Sequence, residues 1–148
     1  MFGQKTGDIF ESPAKSAIGQ CISSDAAMSK GLAKLFVQTF PELLNLRRKN
    51  LKLGEAVMMR VGDRIVFNLV TKIKFSMKPK LATLEVFLLS LKSQAVKLGI
   101  CMLSLPRLGC GLDRLNYDRD VKPLMESIFK GSSTNIVVYT LVKIDLFR

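Results

Sequence analysis

Apolar positions along this chain follow two different spacings, one typical of strands and one typical of helices. Runs rich in apolar and β-branched residues predict a short first strand near Phe2 and further strands at 17–22, 55–60, 64–71, 103–105 and 135–141. The run at 64–71 has almost no polar residue, so we expect a central strand buried on both faces. The turn at 61–63 joins it to the preceding run as a hairpin.

Helical spacing occurs in three regions between these strands. Leucines and an alanine repeat every three or four residues over 81–98, and Gly99 is expected to end that helix. The region 32–46 predicts two short helices interrupted by Pro41, and 120–130 predicts a last helix that ends at Gly131. Strands alternating with helices, together with the hairpin, predict an α/β sandwich with a mixed sheet. The length of 148 residues suits one domain, 1–148.

The stretch 103–115, which reads LSLPRLGCGLDRL, turns from an apolar strand into a glycine-containing loop. Pro106 lacks an amide donor and should end the strand's ladder. Gly109 and Gly111 allow the backbone to present N–H groups to an anion such as phosphate. Asp113 then brings a carboxylate to the strand-end crevice where α/β sheets bind nucleotides. An ordinary turn is the alternative, since neither the phosphate-loop motif nor the three-glycine dinucleotide motif is present.

The composition excludes several kinds of chemistry. The chain has no histidine, which excludes Ser-His and Cys-His nucleophile pairs and mixed His zinc sites. Its three cysteines lack metal-ligand spacing, so we expect no metal and no cofactor, and a backbone role for Cys110. The net charge of +11 indicates an anionic partner or a strongly solvated surface. We interpret the basic cluster Arg47, Arg48, Lys49 and Lys52 as such a solvated face.

The cysteine count and the first residues also bear on location. An odd number of cysteines and an N-terminus without an apolar leader predict an intracellular protein of the nucleus or cytoplasm. No window of about 18 residues is both apolar and uncharged, so no membrane span is expected.

Seven short motifs occur in an order that resembles one known family. They are GDIF (7–10), CIS (21–23) followed by Asp25 and Met28, ELLN (42–45), VTK (70–72), KP (78–79), PRLGCGLDRL (106–115) and VYTL (138–141). Over nearly the whole length the chain resembles a macrodomain, most closely the branch of terminal ADP-ribose glycohydrolases, which remove ADP-ribose from acidic side chains. The resemblance implies a three-layer α/β/α sandwich with a mixed, roughly six-stranded sheet.

The resemblance also implies which residues bind and react. The lysine at the end of a central strand acts as nucleophile in the family, here Lys72, and works with the aspartate of the glycine block, here Asp113. Asp8 and Ile9 correspond to residues that meet the adenine, Ser23 to one near the nucleotide, and Leu141 to one beside the adenosine. The diphosphate and distal ribose correspond to the main chain of Arg107, Leu108, Gly109, Cys110, Gly111 and Leu112.

Elementary chemistry is compatible with these roles. A neutral lysine amine attacks the carbonyl carbon of the opened sugar as the carboxylate ester is lost, and the ADP-ribosyl-lysine formed is later hydrolysed. Asp113 is suited to move the protons. Burial lowers a lysine pKa and a nearby aspartate raises it, so the sequence leaves the direction for Lys72 open. Without the resemblance, Lys72 would be interpreted as a strand-end lysine that reaches solvent.

Three positions depart from the family pattern. Ser29-Lys30-Gly31 stands where the family tends to have Gly-Ala-Gly, Gln20 stands where it can have histidine, and seven residues follow Leu141. Three functional hypotheses result: a glycohydrolase, a non-catalytic reader of ADP-ribosylated proteins, and a basic nucleic-acid-binding module. Only two tyrosines and no tryptophan are available for base stacking in the last case. The expected partners are ADP-ribose, proteins carrying Glu- or Asp-linked ADP-ribose, and poly-ADP-ribose, bound by a monomer.

Overall fold

Six strands form one mixed sheet in a computed structural model, which describes residues 2–72 (Lys72 by its backbone), 81–108 and 116–140. The strands are β1 (Phe2–Thr6), β2 (Ala17–Ser23), β3 (Ala56–Val61), β4 (Arg64–Lys72), β5 (Met102–Pro106) and β6 (Asn135–Thr140). Their order in the sheet is β1-β6-β5-β2-β4-β3. Neighbouring strands are parallel except β3 and β4, which form the predicted antiparallel hairpin. The prediction of a mixed, six-stranded sheet is confirmed.

Within the described ranges, three α-helices connect the strands: α1 (Gly31–Thr39), α2 (Leu81–Lys97) and α3 (Lys122–Phe129). The second of the two short helices predicted around Pro41 is a 3₁₀-helix, Pro41–Arg48. The last helix begins later than predicted, because a π-helical turn, Tyr117–Val121, precedes it. Pro123 lies in the first turn of α3, where its missing N–H leaves no helical bond unmade.

Helical segments cover both faces of the sheet and enclose two apolar clusters. On one face, α2 and α3 pack through Phe87, Met125 and their neighbours. On the other face, α1 and the 3₁₀-helix pack through Phe36 and Leu46. The strand β4 contributes to both clusters and is buried on both sides, as predicted; it lies between β2 and the edge strand β3. The fold is therefore a three-layer α/β/α sandwich.

The predicted apolar stripe of α2 is buried in its middle but not at its two ends. Leu84, Leu88, Leu91 and Ala95 are buried, whereas Leu81, the first residue of α2, and Leu98, which follows it directly, are 40% and 42% exposed. The ends of the stripe therefore contribute less to the core than its middle. Gly99, at φ +67°, adopts the left-handed conformation that ends the helix, as expected.

A buried polar cluster fastens the segment after β1 to the start of β4. The Arg64 guanidinium donates to both the carbonyl and the hydroxyl of Ser12 and, at 3.3 Å, to Oγ of Ser16. Oγ of Ser104 donates to the Ser16 hydroxyl at 3.2 Å. Burial lowers the pKa of Arg64. These bonds restrain residues 8–16, which connect the edge strand β1 to the inner strand β2.

No helix within the described ranges is long and apolar enough to cross a bilayer.

Two leucine truncations, one within α2 and one directly after it, compare the contributions of a buried and an exposed position of the predicted stripe to stability. Leu91→Ala removes a fully buried side chain and should lower the free energy of unfolding by about 2–5 kcal/mol, whereas Leu98→Ala should cost less than about 1 kcal/mol. Urea unfolding followed by circular dichroism measures both variants. Equal losses would mean that Leu98 packs in the core as Leu91 does.

Candidate functional site

The ends of five parallel strands lie at one edge of the sheet, called here the carboxyl edge. Residues Thr6, Ser23, Lys72, Pro106 and Thr140 are the last residues of those strands. The amide N–H of Gly7 donates to the carbonyl of Thr140 at 3.0 Å and holds the exits of β1 and β6 together. The predicted site residues that the structure describes, Asp8, Ile9, Ser23, Lys72, Arg107 and Leu108, end these strands or follow them within three residues. Open α/β sheets bind ligands at such an edge.

The ends of β2 and β4 are adjacent in the sheet. Their regular register is interrupted between Ile22 and Ser23, so that Ser23 lies opposite Lys72. Because of this irregularity, the two predicted site positions are nearest neighbours across the ladder. The structure thus brings the backbone of Lys72 beside Ser23.

Asp8 and Ile9 contribute to the same edge in different ways. Oδ1 of Asp8 accepts a hydrogen bond from the Phe10 amide at 2.9 Å and caps the 3₁₀-helix Ile9–Glu11. The Ile9 side chain is 1% exposed and packs in the cluster beneath α1. A ligand at this position can therefore meet the Asp8 carboxylate but only the main chain of Ile9.

The loop that follows β2, residues 23–30, has an unusual backbone. Ala26 and Met28 have φ of +50° and +45°, in the left-handed region that residues with side chains rarely adopt. Oδ1 of Asp25 accepts bonds from the Ser23 hydroxyl and, at 3.2 Å, from the Ala27 amide. Strained backbone of this kind persists only where surrounding contacts hold it, and it is concentrated at functional sites.

Arg47 supplies one of those surrounding contacts. Its Nε donates to the carbonyl of Ala26 at 2.9 Å, and its Nη2 donates to that of Ala27 at 2.5 Å. All four residues of the basic cluster are exposed, as expected of a solvated face, but Arg47 also bonds the loop. Sequence offers no signal for this contact, because its acceptors are main-chain carbonyls about 20 residues away.

A buried amide pair supports the loop from below. Nε2 of Gln20 donates to Oδ1 of Asn68 at 2.9 Å and lies 3.7 Å from the Met28 sulfur. Nδ2 of Asn68 donates to the carbonyl of Val57 at 3.2 Å. Gln20 and Asn68 are register partners in β2 and β4, so the pair links the two site strands. In the sequence, Gln20 is notable because it stands where the family can have histidine, but nothing there predicts that Asn68 is its partner.

The first residues of the glycine block are firmly anchored. Leu108 is 1% exposed and packs with α2 and α3. The Arg107 guanidinium lies 4.7 Å from the centroid of the Tyr117 ring, and its Nη2 is 3.5 Å from Oδ1 of Asp118. Arg107, at the start of the block, therefore contacts Tyr117 and Asp118, which follow the end of the block. This leaves its main chain, and not its guanidinium, for the predicted diphosphate contact.

Part of the predicted site falls outside the described residues: Gly109, Cys110, Gly111, Leu112, Asp113 and Leu141, together with the side chain of Lys72. Their roles stay predictions. Among the residues that are described, no three His, Cys, Asp or Glu side chains are grouped as a metal site would require.

Comparison with known proteins was made by sequence and by structure. The chain is 38% identical over 138 residues to the ADP-ribose glycohydrolase OARD1 of Homo sapiens, an alignment that covers 91% of this chain and 88% of the relative. The Bos taurus protein of the same name gives the same identity and coverage. An uncharacterized protein 032R of Invertebrate iridescent virus 6 is 32% identical over 91 residues, 62% of this chain and 89% of that protein.

Solved structures show the same fold. The macrodomain of Mycobacterium tuberculosis DarG superposes with a TM-score of 0.85 at 23% identity, covering 94% of this chain and 97% of that one. Thermosipho africanus DarTG, solved in complex with ADP-ribose, gives a TM-score of 0.80 at 22% identity, covering 93% of this chain and 41% of that one.

No family model matches the chain. The identity to OARD1 nevertheless extends over nine-tenths of the sequence, and the macrodomain structures superpose on the same three layers. The chain belongs to the macrodomain family, in the branch of the terminal ADP-ribose glycohydrolases.

Proposed function

We propose that this protein binds ADP-ribose at the carboxyl edge and hydrolyses it from glutamate and aspartate side chains of modified proteins. The observation that carries the proposal is the pairing of Ser23 with Lys72 at the ends of β2 and β4, on the edge from which the chain continues to Asp8 after β1 and to Arg107 after β5. The similarity to proteins named ADP-ribose glycohydrolases supports the hydrolytic reaction. The Glu/Asp linkage and the lysine nucleophile rest on the family motifs alone.

Binding would use groups that follow β1, β6, β5 and β2, the four strands on one side of β4. The Asp8 carboxylate and the Ile9 amide suit the adenine, which offers both donors and acceptors, and Leu141 would border the adenosine. The main chain of residues 107–112 suits the diphosphate, because N–H groups of glycine loops point at anions. The loop 23–30 leads into the N-terminus of α1, whose partial positive charge favours an anionic ligand.

Catalysis would use Lys72 and Asp113. The neutral Lys72 amine forms a bond to the anomeric carbon of the distal ribose, and the bond from that carbon to the ester oxygen breaks, which releases the free carboxylate of the substrate protein. Water then hydrolyses the lysine adduct, which releases ADP-ribose and restores the amine. Asp113 accepts a proton from the attacking amine and returns one when the adduct is hydrolysed.

One structural feature favours a second candidate, a non-catalytic reader. Ser29 and Lys30 are exposed beside the strained loop, directly before α1. In the family pattern two small residues occupy these positions, so this chain brings two larger side chains towards the distal ribose. Such side chains could leave binding intact and still prevent the geometry needed for attack.

ADP-ribose binding is the first measurement. We expect a dissociation constant on the order of micromolar, about 8 kcal/mol, by isothermal titration calorimetry. ADP and ATP serve as controls and should bind more weakly, because they lack the distal ribose. Equal affinity for all three would indicate a generic nucleotide pocket, and no heat at millimolar ADP-ribose would contradict the proposed site.

Arg47 provides a matched pair of variants for the loop. Arg47→Ala removes two charge-assisted bonds to the loop carbonyls, so ADP-ribose affinity should fall about tenfold and amides of residues 24–30 should exchange faster. Arg48→Ala removes an equal charge from the neighbouring exposed position and should change neither quantity. Equal effects would mean that net charge, and not the loop contact, controls binding.

Lys72→Ala and Asp113→Ala test the chemical step. Each should slow release of ADP-ribose from Glu/Asp-modified protein more than about a hundredfold, about 2.7 kcal/mol of transition-state stabilisation. Lys72→Ala should still bind ADP-ribose, because the amine acts on the reacting carbon, whereas Asp113→Ala should lose some affinity. Lys97→Ala, at an exposed position at the end of α2 that leads into the start of β5, is the control and should retain full activity.

Mass spectrometry of the enzyme trapped during turnover should find the adduct on Lys72. Full activity of Lys72→Ala would refute the nucleophile assignment. A wild-type protein that binds but does not hydrolyse, and that gains activity in the double variant Ser29→Gly/Lys30→Ala, would identify a reader.

A further inference from the structure

The exposed large apolar side chains of this protein are concentrated on α2. Among the described residues, seven such side chains are at least 40% exposed: Leu44, Leu53, Leu81, Val86, Leu89, Val96 and Leu98. Four of them belong to α2, and Leu98 follows it directly. Gly54 lies against Val86, since a Cβ on Gly54 would be 3.1 Å from Cγ1 of Val86, so Leu53 adjoins the same surface. Contiguous exposed apolar patches mark interaction sites, whereas scattered single residues do not.

The outward side of α2, called here the outer face, has few charges. It is formed at helical spacing by Ala82, Glu85, Val86, Leu89, Lys92, Ser93 and Val96. A helix that faces water on one side normally carries charged residues there, but this face has one acidic and one basic residue. Its centre, Leu89, is 51% exposed, and Val86 and Val96 on the same face are 57% and 49% exposed.

The two charges lie where they cannot satisfy each other within the chain. Glu85 and Lys92 are seven residues, about two turns or 10 Å, apart on the same side of the outer face. The ion pairs found in the described part of the chain involve Arg107, Arg119 and their aspartates, and neither Glu85 nor Lys92.

We propose that the outer face pairs with the outer face of a second copy of this chain, antiparallel, about a two-fold axis beside Leu89. In such a pair, a residue a given number of positions before Leu89 in one copy lies at the same height along the helix axis as the residue equally far after Leu89 in the other copy. Leu89 then packs on Leu89 of the second copy, and Val96 packs on Ala82 of the second copy.

The same symmetry pairs the two charges. Glu85 is four residues before Leu89 and Lys92 is three after it, so Glu85 of one copy comes within about 1.5 Å of the level of Lys92 of the other. The two-fold axis is perpendicular to the plane that contains both helices, so Glu85 of one copy and Lys92 of the other lie on the same side of the contact. Two identical ion pairs form, and this self-complementarity is the reason to assign the face to a second copy.

The dimer is weak and leaves the carboxyl edges open. A single helix pair is a small interface, and the net charge of +11 on each copy opposes association, so we expect a dissociation constant on the order of ten micromolar. Because the helices are antiparallel, the two carboxyl edges point in opposite directions. Association therefore differs from the monomer expected from sequence without blocking either site.

Sedimentation equilibrium between about 1 and 300 micromolar protein tests the pairing. The wild type should shift from monomer to dimer across this range, and Leu89→Glu should remain monomeric throughout. Leu44→Glu introduces the same change at a side chain of similar exposure on the opposite layer, and it should dimerise like the wild type. Thermal unfolding and ADP-ribose affinity, which do not depend on the outer face, verify that each variant is folded.

Charge reversal separates this geometry from non-specific association. Glu85→Lys and Lys92→Glu should each weaken the dimer about tenfold, because each places like charges opposite one another twice. The double variant Glu85→Lys/Lys92→Glu should restore wild-type association. A monomeric wild type at about 300 micromolar would overturn the proposal. A dimer that Leu89→Glu leaves intact, or a double variant weaker than either single one, would also overturn it.

Discussion

The parallel pairing of β2 with β4 is the constraint on which the rest of this site depends. It places Gln20 opposite Asn68 inside the sheet and, after one irregular step, Ser23 opposite Lys72 at the carboxyl edge. A slip of one residue would turn every side chain of one strand to the other face, which would separate the two amides and expose apolar residues of β4 to the wrong layer. The slip would leave the buried Gln20 and Asn68 amides without the hydrogen bond that joins them, which is costly, so the register, and with it the site, is strongly specified.

Rigidity of the loop after β2 follows from that pairing and from Arg47. Left-handed backbone at Ala26 and Met28 costs about 1–2 kcal/mol at each residue. The bonds from Arg47 to two loop carbonyls, of about 1.5–3 kcal/mol each, and burial of Ala26 and Met28 offset this cost. Gln20 touches the Met28 sulfur from beneath, so the loop is held from both sides. Functional positions are precise when surrounding residues lock them in this way.

The helix α2 has two sides with different physical tasks. Its inner side supplies Leu84, Phe87, Leu88 and Leu91 to the core between the sheet and α3, where apolar burial stabilises the fold. Its outer face keeps apolar side chains in water, which costs solubility unless another surface covers them. A two-fold contact through this face would be remote from the carboxyl edge, so assembly and ligand binding would be separate properties of the molecule.

The sequence by itself determined the elements and the family, because both depend on local information. Helical and strand spacing predicted α2 and the β3–β4 hairpin, Gly99 and Pro41 marked ends within their own turns, and the motif order identified the macrodomain. Only the tertiary structure decided the strand order, the Ser23–Lys72 neighbourhood, the Gln20–Asn68 pair and the contact of Arg47 with the loop. It also decided that Leu81 and Leu98 are exposed although they continue the buried stripe. Each of these joins residues far apart in the chain, or depends on which part of a helix the core covers, and neither is encoded in the spacing of neighbouring residues.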